Sequence, residues 1–380
     1  SPSEGVKSLV KDDSVVLNIL KDCNGSIKYV IRGEDKSSRV TSHTYTLHVD
    51  TGIPVIDNVE VNGEYREFGG KLYFKSKPTV NITAHDDGSG IKSYKIGDTT
   101  NTTGVFTVGT GTYSLEVLDN VGHSSGVKKL EECSTLPSSN IVVDSESPTI
   151  NTSRPSGDVN GWYAKCPMYS VRLKDNVGIK SAKVEINGKN VSSYSAKSDS
   201  SIKDNILLSG DTSKVNAENG KYEVKVYVED FAGNTNTWSD IIYVDDTCPT
   251  IDKVVFTGTG YQDGITSNSK GMYGFYFKGD GHCEVNVSDG EISSGLRYLY
   301  VEQIQNGKST IKKVAITGGS AEFDIPKNFK GEIRLYADDR VGNNSKTVKP
   351  DKVINGTPEF VKNHIGVSIN LPSTGSKDVN

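Results

Sequence analysis

The sequence predicts an all-β chain made of small antiparallel sandwiches in tandem, forming an elongated array. Three observations carry that expectation. A strand of alternating apolar residues running into an Asp-x-x-Gly turn recurs along the chain, a proline-bearing junction recurs at intervals of about a hundred residues, and the composition suits short strands around small cores. Hydrophobic residues make up 34% of the 380, with 39 Gly and 18 Tyr but only 2 Met and 2 Trp. Gly-rich, Tyr-rich chains of this kind favour turns and half-buried strands over helices.

The strand and turn are clearest where Tyr222, Val224, Val226 and Val228 alternate up to Asp230-Phe-Ala-Gly-Asn234. Tyr113, Leu115 and Val117 lead in the same way into Asp119-Asn-Val-Gly-His123, and Ile333, Leu335 and Ala337 lead into Asp339-Arg-Val-Gly-Asn343. A fourth copy, Ile27, Tyr29 and Ile31, reaches Asp35. Upstream in each complete copy a strand ends at Asp and the chain resumes after Gly. Val80, Ile82 and Ala84 run to Asp86 and then Gly90; Tyr169, Val171 and Leu173 run to Asp175 and then Gly178; Cys283, Val285 and Val287 run to Asp289 and then Gly295. Alternation on both sides of a Gly turn predicts an antiparallel hairpin.

The junctions are Asp50-Thr-Gly-Ile-Pro54, Asp144-Ser-Glu-Ser-Pro148, Asp245-Asp-Thr-Cys-Pro249 and a degenerate Asn355-Gly-Thr-Pro358, whose prolines are 94, 101 and 109 residues apart. That is the length of one sandwich domain. The expected division is therefore 1–50, the end of one repeat; 51–146, 147–247 and 248–356, three whole repeats; and 357–380, the start of a further repeat or a wall-anchor tail. On this reading the chain is cut from a longer one.

With these residues in place, the chain resembles the immunoglobulin-like repeats of bacterial surface and secreted proteins, in which a proline junction opens a domain and an Asp-x-x-Gly-Asn turn closes its penultimate strand. The resemblance implies an extracellular location, at the cell surface or secreted. The repeated Tyr73-Phe-Lys75, Tyr163-Ala-Lys165 and Tyr276-Phe-Lys278 read as shared framework, since a feature of every copy serves the common fold.

Charge excludes one class of partner. Lys and Arg total 43 against 48 Asp and Glu, a formal charge of -5, so no basic excess draws the chain to nucleic acid. No apolar run reaches the length of a membrane span. Five cysteines, Cys23, Cys133, Cys166, Cys248 and Cys283, have neither CxxC spacing nor an even count. Cys283 is expected as a buried thiol, and Cys166 and Cys248 flank the middle repeat as the one pair that could meet. The sequons Asn81-Ile-Thr83 and Asn286-Val-Ser288 fall inside expected strands and read as chance matches.

The six histidines are scattered and no nucleophile motif accompanies them, so no enzymatic activity is expected. Two turns of each sandwich share an end, which raises two candidate metal sites. His85, Asp86, Asp87, Asp119 and His123 are the residues of a transition-metal reading, against which solvated loop residues are favoured, since proximity of loops does not fix ligand geometry. Calcium has the better case, because the junction Asp reaches the same end: Asp50, Asp86 and Asp119 in the first repeat, Asp144, Asp175 and Asp230 in the second, and Asp245, Asp246, Asp289 and Asp339 in the third. Hard carboxylate oxygens at a joint are what calcium needs to stiffen a rod. Against it stands the reading that each Asp caps its own turn, a common role for that side chain. No cofactor is required by the sequence, and calcium is the one for which residues are present.

Leu371-Pro-Ser-Thr-Gly375 matches the LPxTG signal that sortase uses in Gram-positive bacteria. The same segment also echoes Ile150-Asn151, Pro155-Ser-Gly157 and Asp158-Val-Asn160 of the middle repeat, so wall signal and repeat loop both stand. For function, the leading expectation is a non-catalytic, adhesin-like binding module that engages a host protein or glycoprotein, such as an immunoglobulin. Tyr261, Tyr273 and Tyr298 of the third repeat are its candidate contacts, with Phe275 assigned to the core, because aromatics anchor interfaces. The alternative is a passive stalk that projects a distant adhesin or enzyme domain.

Overall fold

A computed structural model describes residues 6–11, 14–19, 25–215, 219–258, 262–264, 274–276, 280–326, 329, 331–345, 352–354, 357–359 and 366–371. The chain is all-β, built as tandem immunoglobulin-like sandwiches, with one four-residue α-helix, Leu130–Cys133, among the described residues. Each sandwich arises where two sheets turn their apolar alternation toward each other, so that every second side chain of both sheets enters one core.

In the first sandwich Val105–Thr107, Thr79–His85 and Val55–Asn62 form one sheet, and Thr99–Asn101, Ile91–Ile96, Ser114–Asp119 and Lys128–Lys129 form the facing one. A third sheet includes a parallel pair, Asn140–Val143 beside Lys71–Phe74, with Ile141 opposite Leu72. Val80, Ile82, Ile96, Leu115, Val117, Leu72, Phe74 and Ile141 share the core. In the second sandwich Tyr169, Val171, Leu173, Val184, Val224, Val226, Val228 and Ile242 do the same. In the third, Cys283, Val285, Val287, Leu299, Val301, Ile333, Leu335 and Ala337 do so. The pattern follows from period-two alternation: Gly220–Asp230 is buried at every second residue from Tyr222 onward.

The expected hairpins are corrected. Thr79–His85 and Ile91–Ile96 lie in different sheets, as do Gly281–Ser288 and Leu296–Gln305. In the middle domain the two segments are one strand, Met168–Ile186, which pairs with Lys203–Asp211 over its first half and with Gly220–Asp230 over its second. The Gly turn is thus a corner where the chain crosses from sheet to sheet. Alternation is the same in both cases, because both strands face one core. Gly90, Gly178 and Gly295 hold φ values of 79°, 149° and 91°, the left-handed side that favours glycine. Gly178 has a second reason, since a Cβ there would stand 2.5 Å from Cγ2 of Ile202.

Cys166 and Cys248 are separate thiols, not a disulfide, and Cys283 is a buried thiol whose pKa burial pushes far up. The strand Gly366–Leu371 pairs with Gly331–Asp339, with Leu371 opposite Gly331. Pro372, Ser373, Thr374 and Gly375 lie outside the described residues. Among the described residues no helix is long and apolar enough to cross a membrane.

Candidate metal centres at the domain joints

One aspartate ends the last strand of each repeat, and the next repeat brings its corner and its Asp-x-x-Gly turn up against it. The linker amide fixes the first of these: Asp144 N donates to Phe74 O at 2.8 Å, and Asp245 N donates to Tyr163 O at 2.9 Å. Three groups result, each with ligand atoms within 4.8 Å of one another: Asp50, Asp119 and His123; Asp144, Asp175 and Asp230; Asp245, Asp289 and Asp339.

At the second joint Asp230 Oδ1 accepts the amides of Gly233 and Asn234 at 2.6 and 2.8 Å, so it closes its own turn. Asn234 then reaches both ways, its Nδ2 donating to Asp230 Oδ2 at 2.7 Å and to the linker carbonyl of Asp144 at 2.9 Å. Asp175 Oδ2 accepts the amides of Val177 and Gly178 at 3.0 and 2.7 Å. Turn capping and convergence therefore occur together, and the two readings of these aspartates are not exclusive. Asp144 Oδ1 accepts the Glu146 amide, while Asp144 Oδ2 and Asp175 Oδ1 are buried with no hydrogen-bond partner. Desolvation pushes Asp144 above the ordinary carboxylate range, with Asp175 and Asp230 adding repulsion, and desolvation raises Asp230 likewise.

The third joint repeats the plan. Asn343 Nδ2 donates to Asp339 Oδ2 at 2.6 Å and to the linker carbonyl of Asp245 at 2.7 Å. Asp245 Oδ2 accepts the Ser294 amide at 2.7 Å, and its Oδ1 accepts Asn219 Nδ2 at 3.1 Å. Asp289 Oδ2 and Ser294 Oγ are buried without partners. Desolvation raises both Asp289 and Asp339, the latter to about 6, with Asp245 repelling each. Asp246, expected in this group, is exposed, and it supplies only a backbone amide to Asn219 Oδ1.

The first joint differs. Asp86 stays on its own corner, its Oδ2 accepting the amides of Gly88 and Gly90 at 3.1 and 2.8 Å, and His123 takes the third place in the cluster. His123 Nδ1 lies 2.8 Å from Asp119 Oδ2, while Asp119 Oδ1 accepts the amides of Val121, Gly122 and His123. Burial pushes Asp119 up, but the amide and ring of His123 and the Gly122 amide outweigh it, and the carboxyl lies below its ordinary value. Hydrogen bonding from Ser89 likewise holds Asp50 low. The expected His85 partnership is corrected too. His85 Nδ1 lies 2.6 Å from Asp57 Oδ1, away from His123, and Asp87 is exposed.

An apolar contact accompanies the second joint. Phe231, from the turn of the middle domain, packs on Phe68 and Tyr73 of the first at ring-centroid distances of 4.6 and 5.1 Å, with Ala196, Ala232 and Val142 around them. Arg66 pairs with Glu229 beside it. Tyr73, read from sequence as framework, is thus a joint residue. The signal was available: Phe231 stands where the other copies have the polar Asn120 and Arg340.

Of the candidate binding tyrosines, Tyr261 and Tyr273 lie outside the described residues. Tyr298 is 37% exposed, with the Arg297 guanidinium 5.6 Å and Lys313 Nζ 6.0 Å from its ring centre. Beside it Tyr300 and Tyr336 stack at 4.8 Å, and Tyr300 donates to the buried Asp338. The backbone of Phe275 pairs with that of Asp263.

No family model and no curated protein matches the chain. Among solved structures it is similar to a Ca2+-stabilized adhesin that helps an Antarctic bacterium reach out and bind ice, at 15% identity over 94% of this chain and 84% of that one, TM-score 0.32. It is also similar to a tetra-tandem repeat from the extending region of a large adhesion protein, at 12% identity over 95% and 84%, TM-score 0.32. A third similarity is to three N-terminal domains of the bacteriophage RB49 highly immunogenic outer capsid protein, at 13% identity over 74% and 91%, TM-score 0.32.

Proposed function

We propose that this chain is a spacer region of an extracellular, adhesin-like bacterial protein, in which successive sandwiches are locked end to end to hold a distant part away from the cell. The observation that supports it is the asparagine of the Asp-x-x-Gly-Asn turn. In two successive joints it ties the turn aspartate to the carbonyl of the incoming linker, so each domain fixes the direction of the one before it. Calcium is the stiffening ion that the carboxylate clusters of these joints suit. Small-angle scattering of the chain tests the reading: a spacer gives an elongated particle whose maximum dimension shortens on Asn234→Ala, and a compact or unchanged particle contradicts it.

A second reading has its own observation. The exposed Tyr298 with Arg297 and Lys313 around it forms an aromatic and cationic surface on the third domain, fit to meet a host protein or glycoprotein, with immunoglobulin as one such partner. Retention of a serum or mucus protein by the immobilised chain, lost on Tyr298→Ala, supports that reading, and retention unaffected by the substitution counts against Tyr298.

A further inference from the structure

The three joints share a plan but leave different chemistry behind. At the Asp144 joint the linker aspartate is 2% exposed, and one of its carboxylate oxygens has no donor. A second bare oxygen, on Asp175, belongs to the same cluster of three carboxylates. A buried carboxylate oxygen with nothing to accept from is costly, and two of them among three clustered carboxylates multiply the cost. At the Asp245 joint the bare atoms are Asp289 Oδ2 and the hydroxyl of Ser294. Ser294 is 6% exposed and its amide already binds Asp245, which places it against the cluster. The clustered ligand atoms at both joints are carboxylate oxygens. Three carboxylates call for a divalent ion, and a hard ion that tolerates irregular oxygen coordination completed by water fits them best.

The Asp50 joint has a bare hydroxyl of its own, Ser89 Oγ, but leaves no carboxylate oxygen of Asp50 or Asp119 without a donor. Both oxygens of Asp50 accept amides, from Gly52 and Ser89, and both oxygens of Asp119 are taken, the second by the imidazole. The aspartate that would complete a carboxylate triad, Asp86, is turned to its own corner.

We infer that the chain carries two calcium-class sites, at the Asp144 and Asp245 joints, and none at the Asp50 joint, where His123 closes the cluster in place of an ion. This rests on the reading of the joints as stiffened connections and adds which of them an ion completes. The His-for-Asn exchange in the turn marks the ion-free joint in the sequence.

Calorimetric titration and native mass spectrometry of the whole chain with Ca2+ as the probe test it. The expected result is two tightly held ions. Asp175→Asn and Asp289→Asn each keep a side-chain acceptor for the corner amides, and each is expected to remove one ion. Asp119→Asn is expected to remove none. Far-ultraviolet dichroism of each variant in chelator confirms that the sandwiches are intact; where one is not, Asp230→Asn and Asp339→Asn, which retain the acceptor of the turn, replace them. No tight ion, two ions undiminished in the joint variants, or an ion lost on Asp119→Asn overturns the inference. Scattering separates the two readings: two ions in a chain that is not elongated defeats the spacer and leaves the sites, whereas an elongated chain with no ion does the reverse.

Discussion

Phe231→Ala probes the aromatic contact at the Asp144 joint. Phe231 is 2% exposed, between the rings of Phe68 and Tyr73 from the neighbouring domain and Ala196 of its own. Burying a Phe side chain is worth about 1.5–3 kcal/mol, and each aromatic pair adds about 0.5–1.5 kcal/mol. Part of that burial is against the middle domain itself and survives if the joint opens, so about 2–3 kcal/mol of the total couples the two domains. Since about 1.4 kcal/mol is a tenfold change, removing the ring should raise the opening equilibrium about 30- to 140-fold. Calorimetry of the chain should then show the first and middle domains melting more independently, and scattering should show a broader range of end-to-end distances. A variant that melts with the same cooperativity and scatters as the parent would refute the reasoning, because it would place all of Phe231's energy inside one domain.

Other outcomes follow from the same structure. In chelator, stability should fall as pH rises from about 4 through about 6: Asp339 is raised in the folded state, so the folded chain holds its proton where the unfolded chain has lost it, and ionising it costs about 3 kcal/mol above that window. Melting temperature against pH, with and without Ca2+, checks this, and a chelated curve flat over that range contradicts it. Asn343→Ala removes the donor to Asp245 O and Asp339 Oδ2, and should destabilise the third joint by about 1–3 kcal/mol, read as a lower third-domain transition. Gly178→Ala meets both a positive φ and Ile202, and should cost the middle domain about 1–3 kcal/mol in urea unfolding. Cys283 should resist a thiol reagent in the native chain, while the exposed Cys248 reacts.

Much of the fold was legible because repetition is a one-dimensional signal. The alternation of Tyr222 to Val228, copied at Tyr113 and Ile333, named the strands and the side of each that is buried. The sheet crossing was not legible, since a hairpin and a corner write the same pattern around Gly90 or Gly178. The carboxylates of the second and third joints could be picked out because each repeat carries its aspartates at the same steps. For the first joint the same logic chose Asp86, and the structure sets it aside: there the third group beside Asp50 and Asp119 is His123, from the turn itself.

By itself the sequence determined that the chain is a run of β-sandwiches with aspartates recurring in step along it, because periodicity and proline spacing act along the chain. Tertiary structure alone decided which aspartates meet, which of their oxygens are left bare, and that Phe231 crosses to Tyr73. Those outcomes depend on the path of a corner and the approach of a neighbouring domain, and contacts between residues 31 to 158 positions apart leave no local pattern to read.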